Sequence, residues 1–501
     1  MSQLKIGAIL SYGNIILTNV VGLLLTPFII RSLGDSEYGL YTLIGSLIAY
    51  LSLMDLGIAN TVVRYVAKYR AEGDQEGEYN FLGTTLLIYL FISAVLLVGG
   101  TVLYFNLEEI FKKSLTEGEL EKAKIMFVIL LFNLSIALPS SMLTAICNAH
   151  ERFIFPRALS AIRSIVRVAV IFSVLSMGGK AIALVIVDTL LSILFILTTL
   201  FFVFRKLSVK FRFNQVNRPM ISSIFSYSVW IFVLSITSQF QWQGGQLMLG
   251  IISNTTEVAI YGVGIMLGTY YGAFSSAIAG VFLPKATFMV VNNASPVALT
   301  DMMIRVGRLS FFVLLFILGG FFLYGQQFIL LWVGETYMKS WAISLIIMIV
   351  YTIPLVQSFG NSLLEANKKV SFKAITYLMF ISAGTVSGYF LYDYFGSLGM
   401  VIGVSSGWAI SIVILNIYYQ KVLKLEITRF FSKLFQKIIF LFAVVIAIGW
   451  CLNYWKLSGW GGLLVHIILY CIVYLSIMFR FGLSAEERSL FYDLIPKKIK
   501  R

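Results

Sequence analysis

Charge is scarce in this sequence: only 12% of its 501 residues are Asp, Glu, Lys or Arg, against 59% hydrophobic. A soluble chain must keep a mostly polar exterior, so a soluble protein is excluded, along with the three domains its length would suggest. Histidine is nearly absent. His150 and His466 lie far apart, and the three cysteines, Cys147, Cys451 and Cys471, fall in or beside apolar segments. Metal-ligand spacing and a disulfide framework are therefore missing, as are phosphate-loop and nucleophile-elbow patterns. No enzyme activity, cofactor or metal is expected. His150, in a basic loop, reads as structural; His466, in the last helix, reads as packing or a helix–helix hydrogen bond. A cleavable leader is not expected, because the apolar run from Gly7 to Ile30 is too long for a signal core and lacks a small-residue cleavage site.

What the sequence has is apolar runs. Bilayers accept helices or closed barrels, and barrel strands alternate polar with apolar residues, which these runs do not. Runs of about 20 residues place spans near 7–30, 38–66, 81–104, 123–147, 158–177, 181–203, 221–250, 257–284, 303–325, 340–360, 371–392, 398–420, 436–452 and 461–479. The fold class is an all-α integral membrane protein of about fourteen transmembrane helices.

The formal charge of +15 suggests nucleic acid, but its distribution argues otherwise. With the N-terminus cytoplasmic, eight of the 38 Lys and Arg fall outside: Arg31, Lys112, Lys113, Lys122, Lys124, Lys180, Lys339 and Lys456. The other 30 fall inside, a positive-inside pattern that makes both termini cytoplasmic. The excess is topology and attraction to anionic membrane lipids, with no nucleic acid partner. Tyr38, Tyr41, Trp332, Trp341, Trp455 and Trp460 are expected at the outer boundary. The largest outer loop, Asn106 to Lys122, reads as a short surface helix.

The chain also repeats weakly. Ser11-Tyr12 matches Ser226-Tyr227, and Pro139 matches Pro354, both at an offset of 215. Arg152, Ile154, Arg157 and Ala158 match Lys368, Val370, Lys373 and Ala374 at 216, and Glu37 and Tyr41 match Glu257 and Tyr261 at 220. Two pseudo-symmetric six-helix lobes follow, residues 1–203 and 221–422, joined by a basic cytoplasmic linker, 204–220. Residues 423–501 add a C-terminal helix pair and a basic tail. Even repeats keep one orientation, which implies an axis along the membrane normal and a cleft between lobes.

Charge inside the membrane needs a cavity or a partner. Arg163 and Arg167 share one face of the fifth helix, and Arg167 reaches roughly 13 Å into a ~30 Å core. Snorkelling suits Arg163 but strains Arg167, so the pair suggests an anion-attracting lumen. The repeat-related positions are Met379 and Ala383, and that asymmetry favours a substrate site, from which Arg167 is removable without loss of fold. Arg305 and Arg308 share a face in the ninth helix, where snorkelling fits equally well. Asp55 fits a lumen carboxylate, a partner for a basic residue, or a cap in a helix broken near Gly57; Asp188 is a weaker case. Gly384 and Gly388 on one helix, and Gly399, Gly403 and Gly407 on the next, permit close packing. Pro27, Pro139 and Pro354 are expected to kink their helices.

The stretch Pro27-Phe28-Ile29-Ile30-Arg31-Ser32-Leu33-Gly34-Asp35-Ser36-Glu37-Tyr38-Gly39-Leu40-Tyr41 resembles the first helix–loop–helix of bacterial polysaccharide-transport proteins. Asp55-Leu56-Gly57-Ile58-Ala59-Asn60 and Arg64-Tyr65-Val66 continue the likeness. These are the Wzx-type lipid-linked oligosaccharide flippases of the multidrug/oligosaccharidyl-lipid/polysaccharide exporter (MOP) superfamily, whose fold is shared with the MATE transporters. The resemblance implies that undecaprenyl-pyrophosphate-linked oligosaccharide crosses from the inner to the outer leaflet of the bacterial cytoplasmic membrane through a basic central cavity. Membrane lipids and a polysaccharide polymerase are the implied partners. Arg64, Arg163 and Arg167 become candidates for the cavity lining, Arg31 for its outer mouth, and Arg305 and Arg308 for further lining. Asp55 and Asp188 become coupling-ion candidates. A lipid II flippase and a drug/cation antiporter are the alternatives within the superfamily; lumen arginines and two extra helices disfavour the antiporter. From another class, a membrane polysaccharide polymerase should show a large outer loop and an O-acyltransferase a buried catalytic histidine. Neither is evident.

Overall fold

In the computed structural model, which describes residues 3–213, 218–279, 282–455, 457–484 and 487–488, every apolar run folds into helix. The helices are α1 (Gln3–Leu33), α2 (Asp35–Leu51), α3 (Ile58–Glu72), α4 (Gln75–Phe111), α5 (Glu117–Ala149), α6 (Ile154–Ser176), α7 (Ala181–Lys206), α8 (Arg218–Ile252) and α9 (Thr255–Ala279). There follow α10 (Leu283–Val291), α11 (Pro296–Trp332), α12 (Met338–Val356), α13 (Ser358–Ala366), α14 (Val370–Phe395), α15 (Ser397–Val422), α16 (Ile427–Phe435), α17 (Ile438–Leu452) and α18 (Gly459–Tyr474). Among the described residues 12 helical stretches are long and apolar enough to cross a membrane, α2 and α3 counting as one stretch, as do α16 and α17. With α8 and α9, of 35 and 25 residues, the architecture agrees with about fourteen spans.

The chain packs as two compact units, Met1–Gly262 and Val263–Arg501. That division falls inside α9, beyond the basic 204–220 stretch, because α8 packs against α2 and α3. The described part of the stretch is tied to the start of α4: Arg212 N–H donates to the Tyr79 carbonyl at 3.0 Å and its guanidinium pairs with Glu76. In unit 1, Phe28 of α1 stacks on Phe172 of α6 at 4.7 Å, and the Asn14 amide donates to the Arg157 carbonyl at 2.7 Å. Gly39 is required where α2 meets the start of α9, since a Cβ there would lie 1.8 Å from the Thr255 carbonyl oxygen.

In unit 2, α14 and α15 meet along their glycines as expected: a Cβ on Gly403 would lie 2.3 Å from the Gly388 nitrogen. Hydroxyls of Tyr470 and Tyr474 on α18 donate to carbonyls of Phe316 and Phe312 on α11, at 2.9 and 2.6 Å. His466 is fully buried and stacks on Tyr324 at 5.2 Å; neither ring nitrogen has a hydrogen-bond partner among the described residues. Its role is packing.

The repeat leaves a geometric trace in each unit. Phe155 of α6 stacks on Phe202 of α7 with centroids 3.8 Å apart, and Phe372 of α14 stacks on Tyr418 of α15 at 4.0 Å. The offsets between these pairs are 217 and 216 residues, within the range the sequence suggested.

One expectation needs correction. The 106–122 segment holds no separate surface helix: α4, with 37 residues and thus about 55 Å long, continues past a ~30 Å core, and α5 begins at Glu117. Lys124–Glu108 (3.1 Å) and Lys112–Glu109 pairs stitch the extension, and a Thr116–Glu119 capping box starts α5. Of the aromatics expected at the outer boundary, Tyr38 and Trp332 are buried against other helices, while Trp455 and Trp460 are exposed. Pro27 and Pro139 sit inside helices that run on beyond them, and α12 ends just beyond its proline, Pro354, before Gln357.

Candidate functional site

The second span is broken. After α2 the backbone tightens into a 3-10 turn, Ser52–Asp55, and Leu56 (φ 52°) and Gly57 (φ 72°) turn left-handed before α3 begins. Leu56 pays a steric penalty there that glycine escapes, so the surroundings must hold the turn. Asp55 does much of this. Its Oδ1 accepts from the Tyr89 hydroxyl at 2.9 Å, with Ser141 Oγ 3.2 Å away, and the Gly57 N–H donates to the same carboxylate. The Asp55 carboxylate thus sits at the break and is engaged there by Tyr89, Ser141 and Gly57.

Ser141 leads to the polar interior of unit 1. It lines a cavity of about 350 Å³ between α5, α6 and α7, with Ser140 and Thr144 of α5, Ser160 of α6, and Ser192 and Thr199 of α7. Arg163 also lines it. Its guanidinium makes no ion pair or hydrogen bond among the described residues. Serine and threonine survive in these helices because each can return its hydroxyl proton to a carbonyl one turn back, as Ser140 does to Ala137 and Thr199 to Phe195. The acceptor lone pairs stay available to a guest.

One turn further along the same face, Arg167 is engaged. Its Nε and a terminal nitrogen grip the two oxygens of Asp188 on α7 at 2.5 and 2.8 Å. The Tyr41 hydroxyl on α2 accepts from Arg167 at 3.3 Å and donates to Asp188 at 3.2 Å. This forked pair ties three helices together. The sequence reading gave Arg167 to the substrate and Asp188 to a coupling ion; in the structure they satisfy each other, which removes Arg167 from the free cations and Asp188 from the free carboxylates.

The remaining arginines do not converge on that cavity. Arg31, in the last turn of α1, and Arg64, on α3, are exposed and are not among its described lining. Arg305 is exposed and lines a separate cavity of unit 2, about 580 Å³, with Arg308. Arg308 is engaged within the protein, donating to Glu487 at 2.6 Å and to the carbonyls of Lys433 and Gly482 at 2.8 Å each. It holds down the segment after α18, where Ser484 caps the turn bearing Glu487. Burial pushes the Glu487 carboxyl up, but the Arg308 hydrogen bonds and the Ser484 N–H outweigh it and hold the group below its usual range. His150, just after α5, is likewise held below its usual range, by burial and by the Arg70 charge.

Sequence reasoning missed a polar cluster in unit 2. The Lys373 ammonium and the Tyr419 hydroxyl both donate to Asn361 Oδ1, at 2.9 and 3.1 Å, and the Gln357 amide donates to Asn416 at 2.6 Å. Three amide side chains in an apolar stretch, Gln357 at the α12–α13 junction, Asn361 in α13 and Asn416 in α15, were the available signal.

Residues 4–287, more than half of the chain, match the family model described as polysaccharide biosynthesis protein. The chain belongs to this family. Its fold is that of the MOP superfamily. A lipid II flippase, MurJ, in an inward closed conformation superposes with a TM-score of 0.69 over 98% of this chain and 99% of its own, at 16% identity. An inward-facing multidrug resistance MATE family transporter of the MOP superfamily gives 0.64 over 84% of this chain and 96% of its own, at 13% identity. A eukaryotic MATE transporter gives 0.58 over 83% and 94%, at 12% identity. No curated protein matches the family member in sequence.

Proposed function

We propose that this chain is a flippase that carries undecaprenyl-pyrophosphate-linked oligosaccharide repeat units from the inner to the outer leaflet of the bacterial cytoplasmic membrane, for surface polysaccharide biosynthesis. Family membership supports the pathway and the flippase-like fold supports the mode of transport. The observation that carries the reading is Arg163, a guanidinium without an ion pair beside a hydroxyl-lined cavity in a membrane helix bundle. In a low-dielectric interior such a charge attracts an anion strongly, and its fork matches phosphate oxygens. A cavity of about 350 Å³ suits a phosphate headgroup and part of a sugar, with the rest of the repeat unit outside it.

A cationic drug fits poorly. Arg163 repels it, Asp188 is matched to Arg167, and Asp55 is occupied by Tyr89 and Gly57. In this reading Arg163 contacts the substrate in its cavity, Arg64, Arg31 and Arg305 remain candidates for contacts outside that cavity, and Arg167 positions α6 through Asp188. Both termini face the cytoplasm. The inside-negative potential favours outward movement of a pyrophosphate by about 2.3 kcal/mol per charge per 100 mV. A polysaccharide polymerase is the candidate recipient of the delivered unit.

Proteoliposomes loaded with defined lipid-linked oligosaccharides test the proposal. Leaflet exchange should exceed that of protein-free liposomes and fall with Arg163→Ala. Exchange at background from folded protein would sink it.

A further inference from the structure

Unit 1 holds a second cavity, of about 520 Å³, at the end of the α6–α7 pair where α1 begins. It shares no lining residue with the Arg163 cavity. The ionisable groups of its lining are both cations, Arg152 and Lys206. Both are exposed, and the side chain of neither makes an ion pair or hydrogen bond among the described residues. The unit 2 cavity differs, since there Asp301 and Glu487 offset Arg305 and Arg308. The same cavity has an apolar wall, the stacked rings of Phe155 and Phe202, 3.8 Å apart and 7° from parallel.

The ring stack and flanking cations recur in unit 2, with Val422 at the position matching Lys206. The Phe372–Tyr418 stack of unit 2 is flanked by Lys368 and Lys421, both exposed, at 216 residues from Arg152 and from Arg205 beside Lys206. Snorkelling explains cations at helix ends, and stacking explains aromatic pairs. Neither explains an open cavity between them. A soluble anion would gain from the cations and nothing from the apolar wall; a molecule with an anionic head and an apolar flank gains from both. These are the basic helix ends, which the orientation proposed above puts at the cytoplasmic headgroups.

We propose that this cavity binds the phosphate headgroup of an anionic lipid in the cytoplasmic leaflet. The Arg152 fork and the Lys206 ammonium take the phosphate oxygens, while the Phe155–Phe202 wall covers the adjoining apolar atoms. The leaflet assignment rests on the proposed orientation; the headgroup site does not.

Native mass spectrometry of the full chain in detergent tests it, because retention there is blind both to orientation and to transport. Phosphatidylglycerol should be retained over phosphatidylcholine. Arg152→Gln/Lys206→Gln should weaken phosphatidylglycerol binding on the order of 30-fold, from two surface cations, at an unchanged melting temperature. Lys424→Gln/Lys433→Gln, which removes the same charge elsewhere, should change it little. Added undecaprenyl pyrophosphate distinguishes the source: competition marks the carrier headgroup, and its absence marks bulk phospholipid. Equal losses in the two double variants would reduce the site to diffuse attraction, and displacement by millimolar inorganic phosphate would make it a soluble-anion site; either overturns the proposal. If the Arg152→Gln/Lys206→Gln variant melts early, selectivity of the unaltered chain decides, and equal retention of the two lipids overturns it.

Discussion

Ser141 connects two parts of unit 1: its Oγ lies 3.2 Å from Oδ1 of Asp55, at the break of the second span, and the same residue lines the Arg163 cavity. One hydroxyl therefore stands between the backbone break and the candidate substrate site. Its proton has competing acceptors, Asp55, the Tyr89 oxygen at 3.0 Å and the Leu138 carbonyl at 2.8 Å, and can serve only one well. Ser141→Ala should leave Asp55 with its Tyr89 and Gly57 donors, so stability should change by no more than about 1 kcal/mol. An early melting transition in detergent would mean that Ser141 holds the break.

Arg163→Ala removes a charge that leaves no partner behind. Membrane abundance should stay normal while export falls roughly 10-fold or more, the value of one charge-assisted hydrogen bond. Arg163→Lys should restore part of it, since an ammonium replaces a fork. Oligosaccharide export normalised to abundance is the readout, and full export by Arg163→Ala would move the substrate site elsewhere.

Arg167 should behave differently, four residues away. Arg167→Ala strands Asp188, whose side chain is only 21% exposed, so stability should drop by about 3–5 kcal/mol. Asp188→Asn should also destabilise. Arg167→Leu/Asp188→Leu should recover most of the loss, because a matched apolar pair leaves no buried charge. A double-mutant cycle of melting temperatures with no coupling would contradict the pairing. The Arg167–Asp188 pair sets this expectation against the sequence-based one, that Arg167 is removable at no cost to the fold, and the cycle decides between them.

Gly403→Ala should destabilise by about 1–3 kcal/mol, because the new Cβ meets backbone that cannot yield. Gly99→Ala, where nothing lies within 4 Å, should be neutral or slightly stabilising. Equal effects would mean that α14 and α15 can separate freely.

The Arg308–Glu487 clamp predicts an acid transition. The folded carboxyl sits below its usual range, so its contribution is complete above the unfolded value of about 4.3 and is lost as pH falls through the lower folded value. Tryptic cleavage at Arg488 should be slow near pH 5 and faster in more acidic pretreatment. Glu487→Gln should be cleaved readily at both; a wild-type-like pH response in that variant would assign the transition to another group.

The spans and the α14–α15 contact were legible in the sequence because each rests on a local quantity: the length of an apolar run, or glycines every four residues. The charge asymmetry is legible in the same way, and its reading as orientation is open to test. Cysteines at Gly118 and Ser458 should react with an impermeant reagent from outside and one at Asp74 should not; Asn214, a further sentinel, lies outside the described residues. What only the tertiary structure decided is which charges are spoken for. Arg163 and Arg167 are the same residue type, on the same face, one turn apart. The difference between them lies on α7, where Asp188 stands opposite one, while Ser192 and Thr199 line the cavity beside the other. A helical period assigns a side chain to a face but says nothing about which side chain of another helix will meet it, and inside a membrane that encounter separates a structural pair from a charge left free to bind.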